Sequence, residues 1–305
     1  MKLKKNDLFM GIYILSAVLF FIISIPSWLL DILLAFNIMV ALIILFNSLY
    51  AKEVLDMAAF PTMLLFTTIF RISLNVSSTK MILRDGYAGH VVATFGEFVG
   101  GGNLVIGTII FIVLIIVQFI VINKGSERVS EVTARFTLDA MAGKQMAIDS
   151  DLNTGAITDK EAAERRKKLQ QENSFFGSMD GATKYVKGDA TAGLIITAIN
   201  LVGGIIMGMM YRGQSVNEAL STYAILTIGD GLCSQIPSLL ISLSTGILVT
   251  KASSEGELGD EMVGQLFSMD RVLLMVGAAM AFLGAFTPLP WYVFIPIGVA
   301  LIIYS

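Results

Sequence analysis

From Leu104 to Ile122 the chain carries no charged side chain. A helix needs about 20 mostly apolar residues to cross a bilayer, and this run is close to that length. Comparable stretches recur near 8–25, 31–50, 190–210, 272–287 and 291–305. Two more segments are long enough but less pure. Residues 60–83 hold Arg71, Asn75 and Lys80, and residues 223–250 hold Asp230, Gln235 and Pro237. The pattern predicts an all-α polytopic membrane protein with about eight transmembrane helices. Spans one to four fall in 1–122, a structured cytoplasmic loop occupies 123–189 between spans four and five, and spans five to eight fall in 190–305. Charged residues make up 15% of the chain, against about 25% in soluble domains.

Lysines 2, 4 and 5 followed by an apolar run have the outline of a secretory leader. However, Leu8 to Ile25 is long for a leader core, and Ile25-Pro26-Ser27-Trp28 lacks a small-residue cleavage site. The segment reads as a retained first span. Orientation follows from the loop cations. With the N-terminus inside, segments 1–7, 51–59, 123–189 and 251–271 hold 17 of the 21 basic residues, leaving Arg71, Lys80, Arg84 and Arg212. Both termini are therefore expected in the cytoplasm. The last span ends at Ser305 without a polar tail, so a cytoplasmic C-terminal domain is expected beyond this chain.

The loop has internal order. Arg128, Glu131, Arg135 and Asp139 fall within about 80° of one another on a helix and alternate in sign. This stripe is either a solvated salt-bridge ladder or a charged face docked on another subunit or near an ion path. Gly143 is expected to break the helix that follows. Gly143-Lys144 has the end of a phosphate loop, but Leu138 stands where the first glycine belongs and Gln145 replaces the magnesium-holding hydroxyl. Thr158-Asp-Lys-Glu161 is a capping box opening a charged helix over 159–172, with Glu161–Arg165 and Glu164–Lys168 at i,i+4 spacing.

Ionisable groups inside a bilayer face the bundle interior or a wet path. Asp230 lies between two glycines and ahead of Pro237, which suggests a broken helix lining a cavity. Arg71 lies mid-span and needs a carboxylate or backbone carbonyls as partner. Asp189 stands at the membrane edge with Lys184 five residues earlier, and reads either as an N-cap of span five or as a working carboxylate. Asp31 begins span two and reads first as its cap, or else as a further ion-coupling candidate beside Asp189, Lys184, Asp230 and Arg71. Gly204 and Gly208 permit close helix contact, and Gly100-Gly101-Gly102 reads as a flexible lead-in to span four. With Cys233 and His90 each alone, no metal site, cofactor or catalytic set is expected.

The segment RVSEVTARFTLDAMAGKQMAIDSD at 128–151 closely resembles the signature of the flagellar and type III secretion export-gate family, the FHIPEP family. FRISLNVSSTKMIL at 70–83, FGSMDGATKYVKGDA at 176–190 and IGDGLCSQIPSLL at 228–240 resemble family segments too, so the likeness covers essentially the whole chain. Ala142 stands where the signature usually has proline, and Thr133 where a smaller residue is common. The resemblance implies a membrane domain in the bacterial inner membrane, assembled as a nonameric homo-oligomeric ring with other export-gate membrane proteins. It implies use of proton, or sodium, motive force to export unfolded substrates during flagellum biogenesis or in the related injectisome. The export ATPase complex and chaperone–substrate complexes would dock mainly on a C-terminal domain, with no role for nucleic acid. It singles out Arg128, Arg135 and Asp139 in the signature, Lys184 and Asp189 in the MDGATKYVKGDA segment, and Asp230 in IGDGLCSQIP.

Together these readings suggest that Asp189 exchanges a proton while Lys184 and the 128–139 stripe change partners, with Asp230 as a second relay. The rival classes are a small-solute secondary transporter, for which no internal repeat is visible, and a ring that only anchors the missing domain. An enzyme fits least, because no nucleophile–base pair, metal cluster or nucleotide loop is present.

Overall fold

The computed structural model describes residues 5–100, 102–251, 258–287 and 290–305. Lysines 2 and 4 of the basic N-terminus and Gly101 lie outside the described residues. Among the described residues the chain is helical throughout, without strands. Its helices are α1 (Lys5–Ile22), α2 (Ser27–Tyr50), α3 (Phe60–Asp85), α4 (Gly89–Gly100), α5 (Leu104–Val117), α6 (Lys124–Asp139), α7 (Met141–Asn153), α8 (Asp159–Arg212), α9 (Val216–Thr250), α10 (Leu258–Phe267), α11 (Asp270–Phe286) and α12 (Trp291–Tyr304).

Five helical stretches are long and apolar enough to cross a membrane: Ser27–Tyr50, Val54–Asp85, Leu104–Asn153, Asp159–Arg212 and Val216–Thr250. The remaining expected spans, 8–25, 272–287 and 291–305, fall on the shorter helices α1, α11 and α12. Local chemistry sets the ends. Pro61 occupies the first turn of α3, where its missing N–H costs nothing, and Gly86 ends that helix at φ 62°. The capping box Thr158–Glu161 forms as expected, with the Glu161 carboxylate accepting from the Thr158 N–H at 2.8 Å.

Three expectations about helix continuity are corrected. Asp230 does not mark a break: α9 runs unbroken from Val216 to Thr250. Its flanking glycines serve packing instead. A Cβ at Gly229 would strike the Val92 carbonyl oxygen of α4, and one at Gly231 would strike the Phe111 ring of α5. Gly143 lies inside α7, and the helical axis changes at Ala140, three residues earlier. The charged helix at 159–172 does not stop there but continues through Asp189 into the apolar run to Arg212. The segment 123–189, expected as a loop, is thus largely an extension of the long apolar helices. A π-helical turn over Gln118–Asn123 joins α5 to α6.

The chain divides into two compact units at 253/254. In the first, α3, α8 and α9 pack together, with α2 and α4 against α9, α1 against α3, and α6 against both α8 and α9. Helices α3 and α8 run in the same direction, since Arg212 at the end of α8 donates to the Arg84 carbonyl at the end of α3 (2.7 Å). The same holds for α2 and α9: buried Lys251, just past the end of α9, donates to the carbonyls of Leu49 in the last turn of α2 and of Ala51 at its C-cap. Gly204 and Gly208 do permit close contact, because the Tyr223 ring of α9 lies against both. One apolar cluster gathers Phe60, Leu64, Phe176, Met179, Ile241 and Leu248. A second gathers Leu34, Phe70, Leu74, Ile82, Tyr223 and Leu226. Along α3 and α9 the sequence passes from one cluster to the other through a polar layer.

The second unit contains an α11–α12 pair. Gly277 and Gly298 meet backbone to backbone, so that a Cβ on either would come within 2.7 Å of the other's carbonyl oxygen. Small residues at a helix interface allow this approach where lipid offers no hydrophobic driving force.

Candidate functional site

Helix α3 presents Arg71, Asn75 and Ser78 at i, i+4 and i+7, one face of a helix. All three are buried. Opposite Arg71 stands Asp189 of α8. Arg71 Nε donates to Asp189 Oδ2 at 2.7 Å, and Nη2 lies 2.5 Å from the same oxygen as a close ion contact. The side chains are 1% and 4% exposed. A charge this deep is tolerated only when paired, and removing one partner of such a pair costs about 3–5 kcal/mol. Arg71 Nη1 and Asp189 Oδ1 have no hydrogen-bond partner among the described residues.

Two turns further along α3 lies the second buried carboxylate. Asp230 Oδ2 accepts from Asn200 Nδ2 of α8 at 2.8 Å, and the Ser78 hydroxyl stands beside it. Asn200 is fully buried and Asp230 is 4% exposed. No cation faces Asp230 among the ion pairs of the described residues.

Bordered by Asp189 is a cavity of about 30 Å³. Its polar lining comes from Asn75, Gln118, Asn123, Thr197, Ser234 and Ser238. That volume has room for water, which needs roughly 10–15 Å³ and polar partners. The Ser238 hydroxyl is another buried group without a hydrogen-bond partner among the described residues.

The structure therefore brings Arg71, Asp189 and Asp230 to one seam and places the other sequence candidates elsewhere. Asp189 is not an N-cap, because it lies mid-helix in α8. Lys184 does not pair with it: residues five apart on a helix diverge by about 140°, and Lys184, 71% exposed, pairs with Asp180 at 3.1 Å. Asp31 does not cap α2, where it is the fifth residue. Its carboxylate instead caps α4, accepting from the N–H groups of His90 (3.0 Å) and Val91 (2.9 Å). Gly89 is required there twice over, by its φ of 92° and by the Asp31 carboxylate against its Cα.

The stripe forms a ladder in which Glu131 bridges Arg128 (3.0 Å) and Arg135 (3.4 Å) on an exposed face. Asp139 and Arg135 also line a cleft of about 680 Å³ between α6 and α8, shared with Lys184. The i,i+4 pairs expected for Arg165 and Lys168 are replaced by tertiary ones, to Asp151 at 3.3 Å and to Glu53 at 2.7 Å. Arg166 pairs with Asp149 at 2.5 Å, which holds α7 along α8.

Asn200, Gln118, Asn123 and Lys251 were not among the sequence candidates. Asn200 carried a legible signal, as a lone amide within an apolar run. Among the described residues no cluster of three histidine, cysteine or acidic side chains could hold a metal ion.

Comparison with known proteins places these features in context. A family profile described as the FHIPEP family matches residues 17–305. The flagellar biosynthesis protein FlhA of Bacillus subtilis (strain 168) is 53% identical over 287 residues, covering 94% of this chain and 42% of that protein. FlhA of Salmonella typhimurium is 48% identical over 296 residues, 95% of this chain and 43% of the relative. Protein MxiA of Shigella flexneri is 46% identical over 298 residues, 97% and 43% respectively. The chain thus spans less than half the length of these relatives. No solved structure matches it.

Proposed function

The chain belongs to the FHIPEP family, and from that premise we propose that it is the membrane part of a protein-export gate that couples ion entry to export of unfolded protein. The buried Arg71–Asp189 pair is the observation that carries this reading. In the proposed cycle Asp189 takes up a proton, or a sodium ion, at its second oxygen. Its hold on Arg71 weakens, and a buried guanidinium left without a counter-charge costs several kcal/mol. That cost drives α3 and α8 to rearrange. Because α8 runs unbroken from Asp159 to Arg212, movement at Asp189 passes directly to the cytoplasmic segment. Asp230 acts as the second relay carboxylate. This scheme replaces Lys184 with Arg71 as the group that answers to Asp189.

The arrangement proposed around it has eight spans in the bacterial inner membrane, with both termini cytoplasmic. The common direction of α3 and α8, and of α2 and α9, supports that topology, because spans three and five then both lead outward and spans two and six inward. The chain would form a homo-oligomeric ring, a nonamer in the family reading, beside other export-gate membrane proteins. The export ATPase complex and chaperone–substrate complexes would engage the longer protein's remaining part. Names among its relatives favour a flagellar role over an injectisome role. The role is transport, without catalytic residues or cofactors.

The test is ion flux and substrate export measured together in membranes carrying the full-length protein, wild type or Asp189→Asn. Loss of both at normal ring abundance is the expected result. Unchanged flux and export would reduce the pair to a structural brace.

A further inference from the structure

The cavity at Asp189 is one of three that share walls. The cleft between α6 and α8 opens to the cytoplasmic segment and is lined by Glu127, Thr183 and Lys187. The same three residues border a small inner cavity of about 10 Å³, whose other walls include Ser126, Asn123 and Ser242. Asn123 in turn borders the cavity that Asp189 also lines. The three spaces thus form a course of shared wall residues from the cleft to the cavity bordered by Asp189, within one subunit.

The course is shaped by the π-helical turn. Gln118 and Asn123 are five residues apart, and on an α-helix they would point about 140° apart. A π turn closes on the fifth residue and brings both to one face; such turns often mark functional sites. Both side chains then meet α9: Gln118 Nε2 donates to the Gln235 carbonyl at 3.0 Å, and the Ser242 hydroxyl donates to Asn123 Oδ1 at 2.8 Å. Ser126 Oγ donates to the Ser242 carbonyl at 2.7 Å. Small hydroxyl residues at this crossing leave hydrogen-bonding groups where Leu or Phe would seal the packing. The mouth is guarded by a charge pair, Lys187 Nζ to Glu127 Oε1 at 2.9 Å.

We infer that this course is the cytoplasmic half of the ion route to Asp189, running inside each subunit between α6, α8 and α9, with the Asn123–Ser242 contact as its constriction. The inference rests on the coupling role proposed for Asp189 and adds the path by which a hydrated monovalent cation or a proton passes between that group and the cytoplasm. The cleft is lined by four acidic side chains (Glu127, Glu131, Asp139 and Asp180) against three basic ones (Arg135, Lys184 and Lys187), a balance that favours cations. Leu243, 45% exposed, stands beside Ser242 on the outward face of α9.

The test uses the full-length protein in membranes, with Cys233→Ala removing the native thiol. Single cysteines at Lys184, Ser242 and Leu243 are exposed from the cytoplasmic side to a charged methanethiosulfonate. The thiolate attacks the sulfenyl sulfur of this reagent and expels methanesulfinate, and forming the thiolate requires access to water. Ser242→Cys should react about tenfold or more faster than Leu243→Cys, with Lys184→Cys fastest. In a second arm, Ser242→Leu should reduce ion flux about tenfold or more at unchanged ring abundance, since a buried apolar plug leaves no polar path. Ser242→Cys as unreactive as Leu243→Cys, or Ser242→Leu with undiminished flux, would overturn the route. The labelling arm needs no ion coupling, so it separates failure of the route from failure of the coupling role itself.

Discussion

Asp189 and Asp230 are equally deep in the same three-helix seam, yet they are stabilised in different ways. Asp189 faces the guanidinium of Arg71, borders a polar cavity, and has a second oxygen without a hydrogen-bond partner among the described residues. Asp230 has an amide and a hydroxyl for company and, among the described residues, no cation paired with it. A charge-paired carboxylate is coupled to its partner, so any change at one must be answered by the other. A carboxylate held by neutral donors can change its charge with smaller consequences for its neighbours. The difference makes Asp189 suited to driving movement, and Asp230 to passing charge along.

The largest effect expected from this contrast is at Arg71. Arg71→Leu strands the Asp189 carboxylate and should cost about 3–5 kcal/mol, read as a fall in thermal stability of the purified full-length protein in detergent. Asp230→Asn should be milder. It retains an amide partner for Asn200, so the stability loss should be near that of one hydrogen bond, about 1 kcal/mol, while ion flux slows. If Asp230→Asn destabilised the protein as strongly as Arg71→Leu, the contrast would collapse. At the small end stands the exposed ladder. Glu131→Gln removes both bridges to Arg128 and Arg135 and should shift stability by under about 1 kcal/mol, with flux unchanged in the same vesicle assay. A large flux defect there would favour a docked charged face over a solvated one.

Much of this seam was legible in the sequence, and its failures have physical causes. A guanidinium amid apolar residues demands a partner, so Arg71 stood out at once. Its partner could not be chosen from sequence, because Asp189 lies 118 residues away and nothing local to either residue encodes that contact. Lys184 was the nearest cation in the chain, but helical geometry turns it to another face. The glycines beside Asp230 suggested a break because glycine weakens helices in water. In a packed bundle they serve the opposite end, letting Val92 and Phe111 approach a continuous helix. Asp31 carries a related lesson: it does cap a helix, but α4 rather than its own. The π turn was hidden altogether, since Gln118 and Asn123 acquire a common face only through a backbone change that apolar periodicity does not report.

The most direct test of the account is the double variant Arg71→Leu/Asp189→Leu in the full-length protein. Replacing both members of a buried ion pair with apolar groups is often neutral or stabilising, so the ring should assemble in normal amounts with thermal stability at or above wild type. Ion flux and substrate export, measured in the same membranes, should nevertheless be lost. Normal assembly with flux and export intact would show that the pair only braces the bundle, and would contradict the account.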